Sequence, residues 1–337
     1  MNSLTVEEIN DILDRYSEWL TYDNVIGIDL EESINNETGI ITYQFLVDVF
    51  EKEIMEKRKQ ETEETLNGNQ LLKLLEIPQE IEIQLYEVEE SEEPMWTTIP
   101  VKIQEVDEIT EDILLIEEEI EEEIEEEEDT EIEQEQRKKR PCPGGYMIRT
   151  QGLNGKGSIA TSINYRGAYR LLSNNHVLAK NGNLGKWTYQ PTEGLIANKL
   201  VKLTGFEPIT YYDTQTPNDP VYQEKDIAWC DSSINLSSQE VRGIGKIKGR
   251  RAPIKGETIY IFGGKSEKKR SAKIVSLTYR YRSNGTLGYS FWKNGIKLDK
   301  VVTQSGDSGS AYIASSDYKL IGIHRSGNGK HSTGCLV

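Results

Sequence analysis

Three short segments of the chain contain residue types that could act together in acyl transfer. His176 lies in LLSNNHVLA, Asp226 lies in KDIAWCD, and Ser308 lies in QSGDSGSAYI. Acyl transfer needs a hydroxyl nucleophile, a base that takes its proton, and a buried carboxylate that fixes the tautomer of the base. The three residues supply these groups, so we expect His176, Asp226 and Ser308 to form one catalytic site.

The loop around Ser308 also carries the glycines that this chemistry needs. Backbone N–H groups must point at the oxygen that becomes negatively charged in the transition state. Gly306 and Ser308 are predicted to supply these N–H groups as an oxyanion hole. Gly306 and Gly309 permit the necessary turn, because a Cβ atom would obstruct it.

The aspartate of this set has two competitors in the sequence. Asp213 and Asp219 are close to Asp226, but they lie in a Pro- and Thr-rich loop, whereas Asp226 opens an apolar run. A GDSG turn can occur by chance, and a single His is more often structural. Three motifs in one order within a β-rich region favour the catalytic interpretation, with Asp226 as its acid.

The region that holds these segments is typical of an all-β fold. From Gly144 onward, short runs rich in Val, Ile and Tyr alternate with clusters of Gly, Asn and Ser. Strands separated by such turn residues are the pattern of barrels and sandwiches. The region is long enough for two small barrels packed together.

Taken together, these motifs resemble the trypsin-like (chymotrypsin-fold) serine peptidases. The SNNHV, DIA and GDSGS segments carry the resemblance, which covers roughly residues 144–337. It implies a mainly β fold of two packed six-stranded β-barrels, serine endopeptidase activity on a protein or peptide substrate, and no cofactor or metal. RPCPGG and the upstream region are similar to intracellular bacterial and plant proteins of this type that carry an N-terminal extension.

The resemblance also implies a substrate-binding (S1) pocket. In this family, the residues six and five before the nucleophile line the pocket, and here they are Val302 and Thr303. Val302 stands where an acidic residue would select Lys or Arg. The GIH segment with His324 is similar to that of the glutamyl endopeptidases, where the matching His contacts a Glu or Gln side chain. The resemblance thus implies a Glu or Gln preference at P1; the alternative is that His324 is a partly buried strand residue without a ligand.

Asp307 raises a question about activation. In secreted members of the family, the Asp before the nucleophile pairs with a new N-terminus made by cleavage. Here, either cleavage near residue 140 supplies that amine, or Asp307 has a Lys, Arg or backbone partner. RKKR (137–140) invites the first alternative, but Pro141 would hinder cleavage after Arg140, so we favour a charged linker end.

Residues 1–100 predict a small α+β N-terminal domain in front of the barrels. Apolar residues recur at helical spacing over residues 5–20, with Thr5 as the N-cap. VIGIDLEES, GIITYQFLVDVFEKE and IEIQLYEVEE predict strands, and LLKLLE predicts a short helix. Residues 101–140 predict an acidic, partly helical linker, and residues 141–337 the double-barrel protease domain.

The net charge of −18 combines two regions of opposite sign. Residues 1–136 contain 7 Lys and Arg against 44 Asp and Glu, whereas residues 137–337 contain 32 against 13. Residues 105–135 alone hold 19 acidic residues and no basic one. We favour a solvated linker here, because dense like charge resists compaction. The alternative is an intramolecular ligand that autoinhibits the basic domain, whose charge also suits acidic substrates.

A non-enzymatic module is the competing hypothesis for the basic region. A catalytically silent protease fold could bind an acidic partner or nucleic acid through its basic face. The basic residues are dense between positions 242 and 282: Arg242, Lys246, Lys248, Arg250, Arg251, Lys268, Lys269 and Arg270. Against this hypothesis, every proposed catalytic residue and the oxyanion glycine are present, so we expect a peptide substrate rather than nucleic acid.

Cysteine content and hydropathy limit which other classes of protein the chain could belong to. Cys142, Cys230 and Cys335 are too few and too scattered for a disulfide framework or a zinc site, so free thiols are expected, with a single disulfide as the alternative. The sequence has no apolar run of about eighteen residues, so no membrane span is predicted. The first residues do not resemble a secretory signal. These features predict a cytoplasmic protein, and the richness in Ile, Lys, Asn and Glu indicates a bacterial or phage origin.

Overall fold

The computed structural model describes residues 4–21, 25–35, 38, 40–49, 78–85, 95–106, 110–111, 138–191, 196–214 and 217–337. The helix expected in LLKLLE and most of the acidic linker lie outside the described residues. In the part of the chain that is described, no helix is long and apolar enough to cross a membrane.

The chain divides into two compact units, each made of three segments. Unit 1 contains residues 1–109, 211–222 and 278–295, and unit 2 contains residues 110–210, 223–277 and 296–337. Unit 1 therefore combines the N-terminal residues with two segments from the second half of the sequence. The domain boundaries at residues 100 and 140 stay a prediction.

Strands dominate both units, which confirms the prediction of a mainly β protein. In chain order they are β1 (Val25–Ile34), β2 (Ile41–Val49), β3 (Glu80–Leu85), β4 (Met95–Glu105), β5 (Thr110–Glu111), β6 (Cys142–Gly144), β7 (Met147–Thr150), β8 (Gly157–Ser158), β9 (Thr161–Tyr165), β10 (Ala168–Ser173), β11 (Trp187–Tyr189), β12 (Lys199–Phe206), β13 (Tyr222–Gln223), β14 (Ala228–Asp231), β15 (Ser237–Val241), β16 (Gly245–Lys246), β17 (Thr258–Phe262), β18 (Lys269–Gly285), β19 (Gly288–Leu298), β20 (Ala311–Ala314), β21 (Leu320–Asn328) and β22 (His331–Cys335). Among the described residues, the α-helices are α1 (Val6–Arg15) and α2 (Asn175–Leu178), and 3-10 helices span Ser17–Thr21 and Ile196–Asn198.

Unit 1 begins with α1, whose first turn is fixed by a capping box. The Glu8 N–H donates to Thr5 Oγ1 at 3.2 Å, and the Thr5 N–H donates to Glu8 Oε2 at 2.7 Å. One face of the helix is buried through Ile9, Ile12 and Leu13. The predicted N-cap at Thr5 is confirmed, and the helix gives way to the 3-10 helix before the predicted end.

The N-terminal strands form one sheet in unit 1. β1 and β2 are antiparallel, with Ile28 opposite Val47, and β2 and β4 are parallel, with Val47 opposite Ile103. β3 pairs antiparallel with β4. The sequence analysis did not predict β4, which contains Pro100, and Pro weakens a strand prediction because it donates no ladder hydrogen bond.

The segment 278–295 completes the sheet of unit 1. In β18, Arg280 lies opposite Ile28 of β1. The buried Arg280 guanidinium binds the Asp14 carboxylate and donates to Ser17 Oγ at 2.6 Å. The Tyr279 hydroxyl donates to Asp48 Oδ2 at 2.7 Å. Buried polar groups of this segment therefore find their partners among the N-terminal residues.

Unit 2 contains the segments that carry the predicted chemistry. Seven strands form a sheet in the order β8-β7-β11-β12-β14-β10-β9. In a second series, β22 pairs with β21, β21 with β20, β20 with β17, and β17 with β18. The number of strands in each barrel stays a prediction.

Short connections in unit 2 present the candidate site residues. β10 ends at Ser173, and α2, which carries His176, begins two residues later. Asp226 lies just before β14, and Ser308 lies in the turn before β20. Each residue is thus anchored by a strand that is paired within its sheet.

Candidate active site

His176 and Asp226 are in direct contact in the interior of unit 2. The imidazole Nδ1 of His176 contacts Asp226 Oδ2, and the His176 N–H donates to Asp226 Oδ1 at 3.1 Å. The Asn174 side chain donates to the Asp226 main-chain oxygen at 2.7 Å, which joins the two loops. The side chain of His176 is 1% exposed and that of Asp226 is 0% exposed.

The second ring nitrogen of His176 is available for chemistry. A carboxylate at Nδ1 favours the tautomer with its proton on Nδ1, so that Nε2 presents a lone pair. Among the described residues, this buried Nε2 has no hydrogen-bond partner. Buried polar atoms are normally paired, and a catalytic role is one explanation for such an exception.

Contacts with two side chains keep the Asp226 carboxyl group ionised. Burial alone would raise its pKa, because a low-dielectric interior disfavours charge. The contacts with His176 and, to a smaller extent, with Arg325 outweigh burial and hold the pKa of Asp226 below its ordinary value.

Ser308 lies in a turn that is tied to β8 and β21. Its carbonyl accepts from the Ser158 N–H at 2.6 Å, and Ser158 Oγ donates to the Gly306 carbonyl at 2.9 Å. The Ser308 hydroxyl donates to the Arg325 main-chain oxygen at 2.7 Å. The hydroxyl is therefore hydrogen-bonded to β21, and sequence analysis missed Ser158 as a support of the turn.

The glycines of this turn adopt the backbone that their positions suggested. Gly306 has a φ of 95° and Gly309 a φ of 93°. Residues other than Gly rarely adopt this region of backbone conformation. A Cβ atom on Gly309 would also overlap the Ser158 main-chain oxygen. Within the described part of the chain, the N–H groups of Gly306 and Ser308 have no acceptor, which leaves both free to bind an oxyanion.

Asp307, beside the proposed nucleophile, is held by the main chain. The N–H groups of Lys265 and Ser266 donate to Oδ1 at 3.0 and 2.9 Å, and the Gln304 N–H donates to Oδ2 at 3.1 Å. Gly263 leaves the space that this carboxylate fills, because a Cβ atom there would overlap it. Of the alternatives for Asp307, the backbone partner is the one found in the structure.

Arg325 is a site residue that the sequence analysis missed. Its Nε lies 3.2 Å from Asp226 Oδ2, and its side chain is 0% exposed. A single Arg inside the apolar strand LIGIHRSG was the available signal, because a buried Arg needs a carboxylate nearby.

The predicted pocket residues are all buried and hydrogen-bonded. The Val302 N–H donates to Ser332 Oγ at 3.0 Å, and Thr303 Oγ1 lies 2.8 Å from the same Ser332 Oγ. His324 Nδ1 lies 2.9 Å from the Tyr312 hydroxyl. Sequence analysis missed Ser332 and Tyr312, because their closeness to Val302, Thr303 and His324 depends on pairing between strands.

An open cavity next to Val302 carries positive charge. Its volume is about 560 Å³. Its lining consists of Tyr260, Lys269, Arg270, Ser271, Lys300, Val301 and Val302. Three of these side chains are cationic, so the cavity favours anionic groups.

A short strand from the acidic region pairs with β21 within unit 2. β5 is antiparallel to β21, with Glu111 opposite Ser326 and Thr110 opposite Gly327. The residue of β21 that precedes Ser326 is Arg325, whose carbonyl accepts the Ser308 hydroxyl. β5 therefore pairs with the strand that borders the proposed nucleophile.

The cysteines contribute no reactive thiolate. Cys142, Cys230 and Cys335 are buried and none is in a disulfide, which agrees with the expected free thiols. Burial raises the pKa of Cys142 and Cys335 to about 12 and that of Cys230 further. In the described ranges, no three His, Cys, Asp or Glu side chains form a group that could hold a metal ion.

Comparisons with known proteins give similar structures. No protein-family model and no curated protein matches the chain. A glutamic-acid-specific serine protease, described as using a histidine triad in substrate binding, is 17% identical at a TM-score of 0.40, with 58% of this chain and 93% of that chain covered. Nocardiopsis protease is 16% identical at a TM-score of 0.39, with 58% and 92% covered. An inactivated protease paralogue of the scabies mite is 14% identical at a TM-score of 0.35, with 57% and 89% covered.

Proposed function

We propose that the chain is a serine endopeptidase in which Ser308 is the nucleophile, His176 the general base and Asp226 the group that orients the base. The contact between His176 Nδ1 and the Asp226 carboxylate carries this proposal. It leaves Nε2 without a partner among the described residues and ready to take a proton. The turn at Ser308, in which glycines adopt positive φ angles, and the N–H groups of Gly306 and Ser308 support the same chemistry.

In the proposed reaction, Ser308 attacks the carbonyl carbon of a peptide bond. The Ser308 hydroxyl breaks its hydrogen bond to the Arg325 carbonyl and gives its proton to His176 Nε2. A hydrogen bond between a nucleophile and its base often forms only when substrate is bound. The carbonyl oxygen becomes an oxyanion, which the Gly306 and Ser308 N–H groups stabilise. His176 then protonates the leaving amine, the C–N bond breaks, and an acyl ester remains on Ser308. Water, activated by His176, hydrolyses the ester and restores the hydroxyl.

We propose that the residue before the cleaved bond is Glu or Gln. His324, Thr303 and Ser332 are hydrogen-bonding side chains in a buried region, and such groups bind a carboxylate or a carboxamide. The cations of the neighbouring cavity, Lys269, Arg270 and Lys300, attract acidic peptides.

Fluorophosphonate labelling of the full-length chain tests the activated serine. We expect the wild type to be labelled and Ser308→Ala to remain unlabelled. Ser310→Ala is the matched control, because it removes a buried hydroxyl two residues away, and it should still be labelled. A peptide library should then show Glu or Gln as the leading P1 residue.

Absence of label from the wild type and from all active-site variants would contradict the enzyme proposal. The competing binding module would then be tested by salt-dependent binding of Ser308→Ala to nucleic acid and to acidic peptides.

We also propose that the acidic N-terminal region restrains the enzyme through β5. An extended peptide can bind a sheet by adding a strand to an edge, and the edge of β21 leads to the Arg325 carbonyl at Ser308. Thr110 and Glu111 already pair with part of this edge. A substrate that uses the same edge must displace them, so that inhibition is competitive and acts within one chain.

Paired substitutions separate main-chain pairing from net charge. The double variant Thr110→Pro/Glu111→Pro removes both N–H donors, whereas Thr110→Ala/Glu111→Ala keeps them. We expect the proline variant to have a several-fold lower KM and an unchanged kcat, and the alanine variant to keep the wild-type KM. An equal, salt-sensitive effect in both variants would indicate charge as the cause. Equal KM values in all three proteins would contradict the restraint by β5.

A further inference from the structure

Arg325 contacts both ends of the proposed catalytic set. Its Nε lies 3.2 Å from Asp226 Oδ2, the same oxygen that contacts His176 Nδ1. Its main-chain oxygen accepts the Ser308 hydroxyl at 2.7 Å. One residue thus touches the nucleophile through its backbone and the orienting carboxylate through its side chain.

The fold fixes the backbone on both sides of Arg325. The His324 N–H donates to the Ser310 carbonyl at 2.8 Å, and the Gly309 N–H donates to the His324 carbonyl at 3.0 Å. On the other side, Ser326 Oγ lies 2.7 Å from Thr333 Oγ1 of β22. Because its neighbours are anchored in this way, the main chain of Arg325 is held in place. The Arg325 side chain extends from this fixed main chain to Asp226.

A guanidinium in the interior stays charged and is costly to bury without a carboxylate. Asp226 supplies one, and its own two oxygens are then both engaged. Oδ1 accepts from the His176 N–H, and Oδ2 faces His176 Nδ1 and Arg325 Nε. Rotation of the carboxylate about its Cβ–Cγ bond would break these contacts, so its plane is fixed relative to the imidazole.

We propose that Arg325 is a positioning residue that holds the Asp226 carboxylate against His176 and offsets part of its negative charge. The inference rests on the proposed function, because it concerns how His176 acts as the base. The positive charge of Arg325 opposes the formation of a second cation at His176.

The groups that face Asp226 come from three elements. α2 contributes His176, β21 contributes Arg325, and β22 contributes Cys335, whose Sγ accepts from the Asp226 N–H at 3.4 Å. Burial raises the pKa of Cys335 to about 12, so its thiol is neutral during catalysis. The charge balance at Asp226 is thus set by His176 and Arg325.

Two substitutions at one position separate charge from geometry. Arg325→Met removes both, and we expect kcat to fall about 10- to 100-fold with little change in KM, because a misplaced base loses orientation. The acidic limb of the kcat/KM profile should move to higher pH by about one unit. Arg325→Lys keeps the charge but not the planar guanidinium group. The acidic limb should therefore return to its wild-type midpoint while kcat stays reduced.

Arg280→Met provides the matched control. Arg280 is also a buried Arg paired with an Asp, but it lies in unit 1 with Asp14. Its replacement should lower the melting temperature and leave the acidic limb unchanged. A similar limb shift in Arg280→Met would show a general effect of destabilisation and overturn the inference.

Fluorophosphonate labelling distinguishes the possible failures. If Arg325→Met is labelled but keeps the wild-type kcat and acidic limb, the positioning role is wrong and the protease proposal stands. If Arg325→Met does not fold, the test rests on Arg325→Lys. A wild-type kcat in Arg325→Lys overturns the inference. A reduced kcat with an unchanged acidic limb of the kcat/KM profile supports it. An unlabelled wild type would instead overturn the proposed function.

Discussion

Two buried aspartates of unit 2 are held by different kinds of partner. Asp226 contacts the side chains of His176 and Arg325, whereas Asp307 accepts three main-chain N–H groups. Both side chains are fully buried. A side-chain base can gain or lose a proton, but a main-chain amide cannot. The comparison therefore separates a carboxylate suited to orienting a base from one suited to fixing a loop.

The largest expected effect comes from Asp226→Asn. An amide at this position favours the wrong tautomer of His176 and leaves Arg325 without its carboxylate, so we expect kcat/KM to fall on the order of 10⁴-fold. Steady-state hydrolysis of a Glu-containing peptide measures the loss. Asp231→Asn, on the exposed end of β14 where Asp231 pairs with Arg170, is the control and should keep wild-type activity. A loss below tenfold in Asp226→Asn would remove Asp226 from the catalytic set.

A smaller effect, of another kind, is expected from Asp307→Asn. The amide nitrogen must face at least one of the N–H groups that now donate to the carboxylate, which costs about 1–3 kcal/mol of unfolding free energy. Because the turn also carries the Gly306 and Ser308 N–H groups, kcat should fall about 10- to 100-fold. The pH profile of kcat/KM should keep its wild-type midpoints. Chemical unfolding together with that profile tests the prediction, and a shifted acidic limb would contradict the contrast with Asp226.

The smallest effect concerns stability and appears only in acid. The pKa of Asp226 lies below its ordinary value of about 3.9, so the folded chain keeps a charge that the unfolded chain loses. The stabilisation is fully present above about pH 4 and is lost as the pH falls through the lowered value. Urea unfolding should show a steeper loss below pH 4 in the wild type than in Asp226→Asn. If the free energy of unfolding fell equally with pH in both proteins, the contacts of the Asp226 carboxylate would not stabilise the folded chain.

Local signals in the sequence predicted the contact between His176 and Asp226. A base such as His176 needs a buried carboxylate that fixes its tautomer, and Asp226 is the nearby aspartate that opens an apolar run. The positive φ values of Gly306 and Gly309 were also predictable, since Gly occurs where a turn excludes a Cβ atom.

Partners that depend on long-range pairing could not be predicted. Arg325 was visible as a charge in an apolar strand, but its partner lies 99 positions earlier in the sequence. Similarly, residues 271–282 form one of the Val-, Ile- and Tyr-rich runs from which strands were predicted, and they lie in β18. Nothing in their pattern indicated that Arg280 would pair across to Ile28. Packing across strands selects such partners, and the sequence of one strand does not identify the strand with which it pairs.

The make-up of unit 1 has a consequence for how new chains mature. Ile28 pairs with Arg280, so β1 leaves the ribosome long before its partner strand has been made. At about 5–20 residues per second, the delay is on the order of ten to fifty seconds. During that time one edge of β1 is unpaired, and an open edge can recruit strands from other nascent chains. Protein yield should therefore depend on elongation speed, and messages that end before residue 278 should yield chains prone to aggregation.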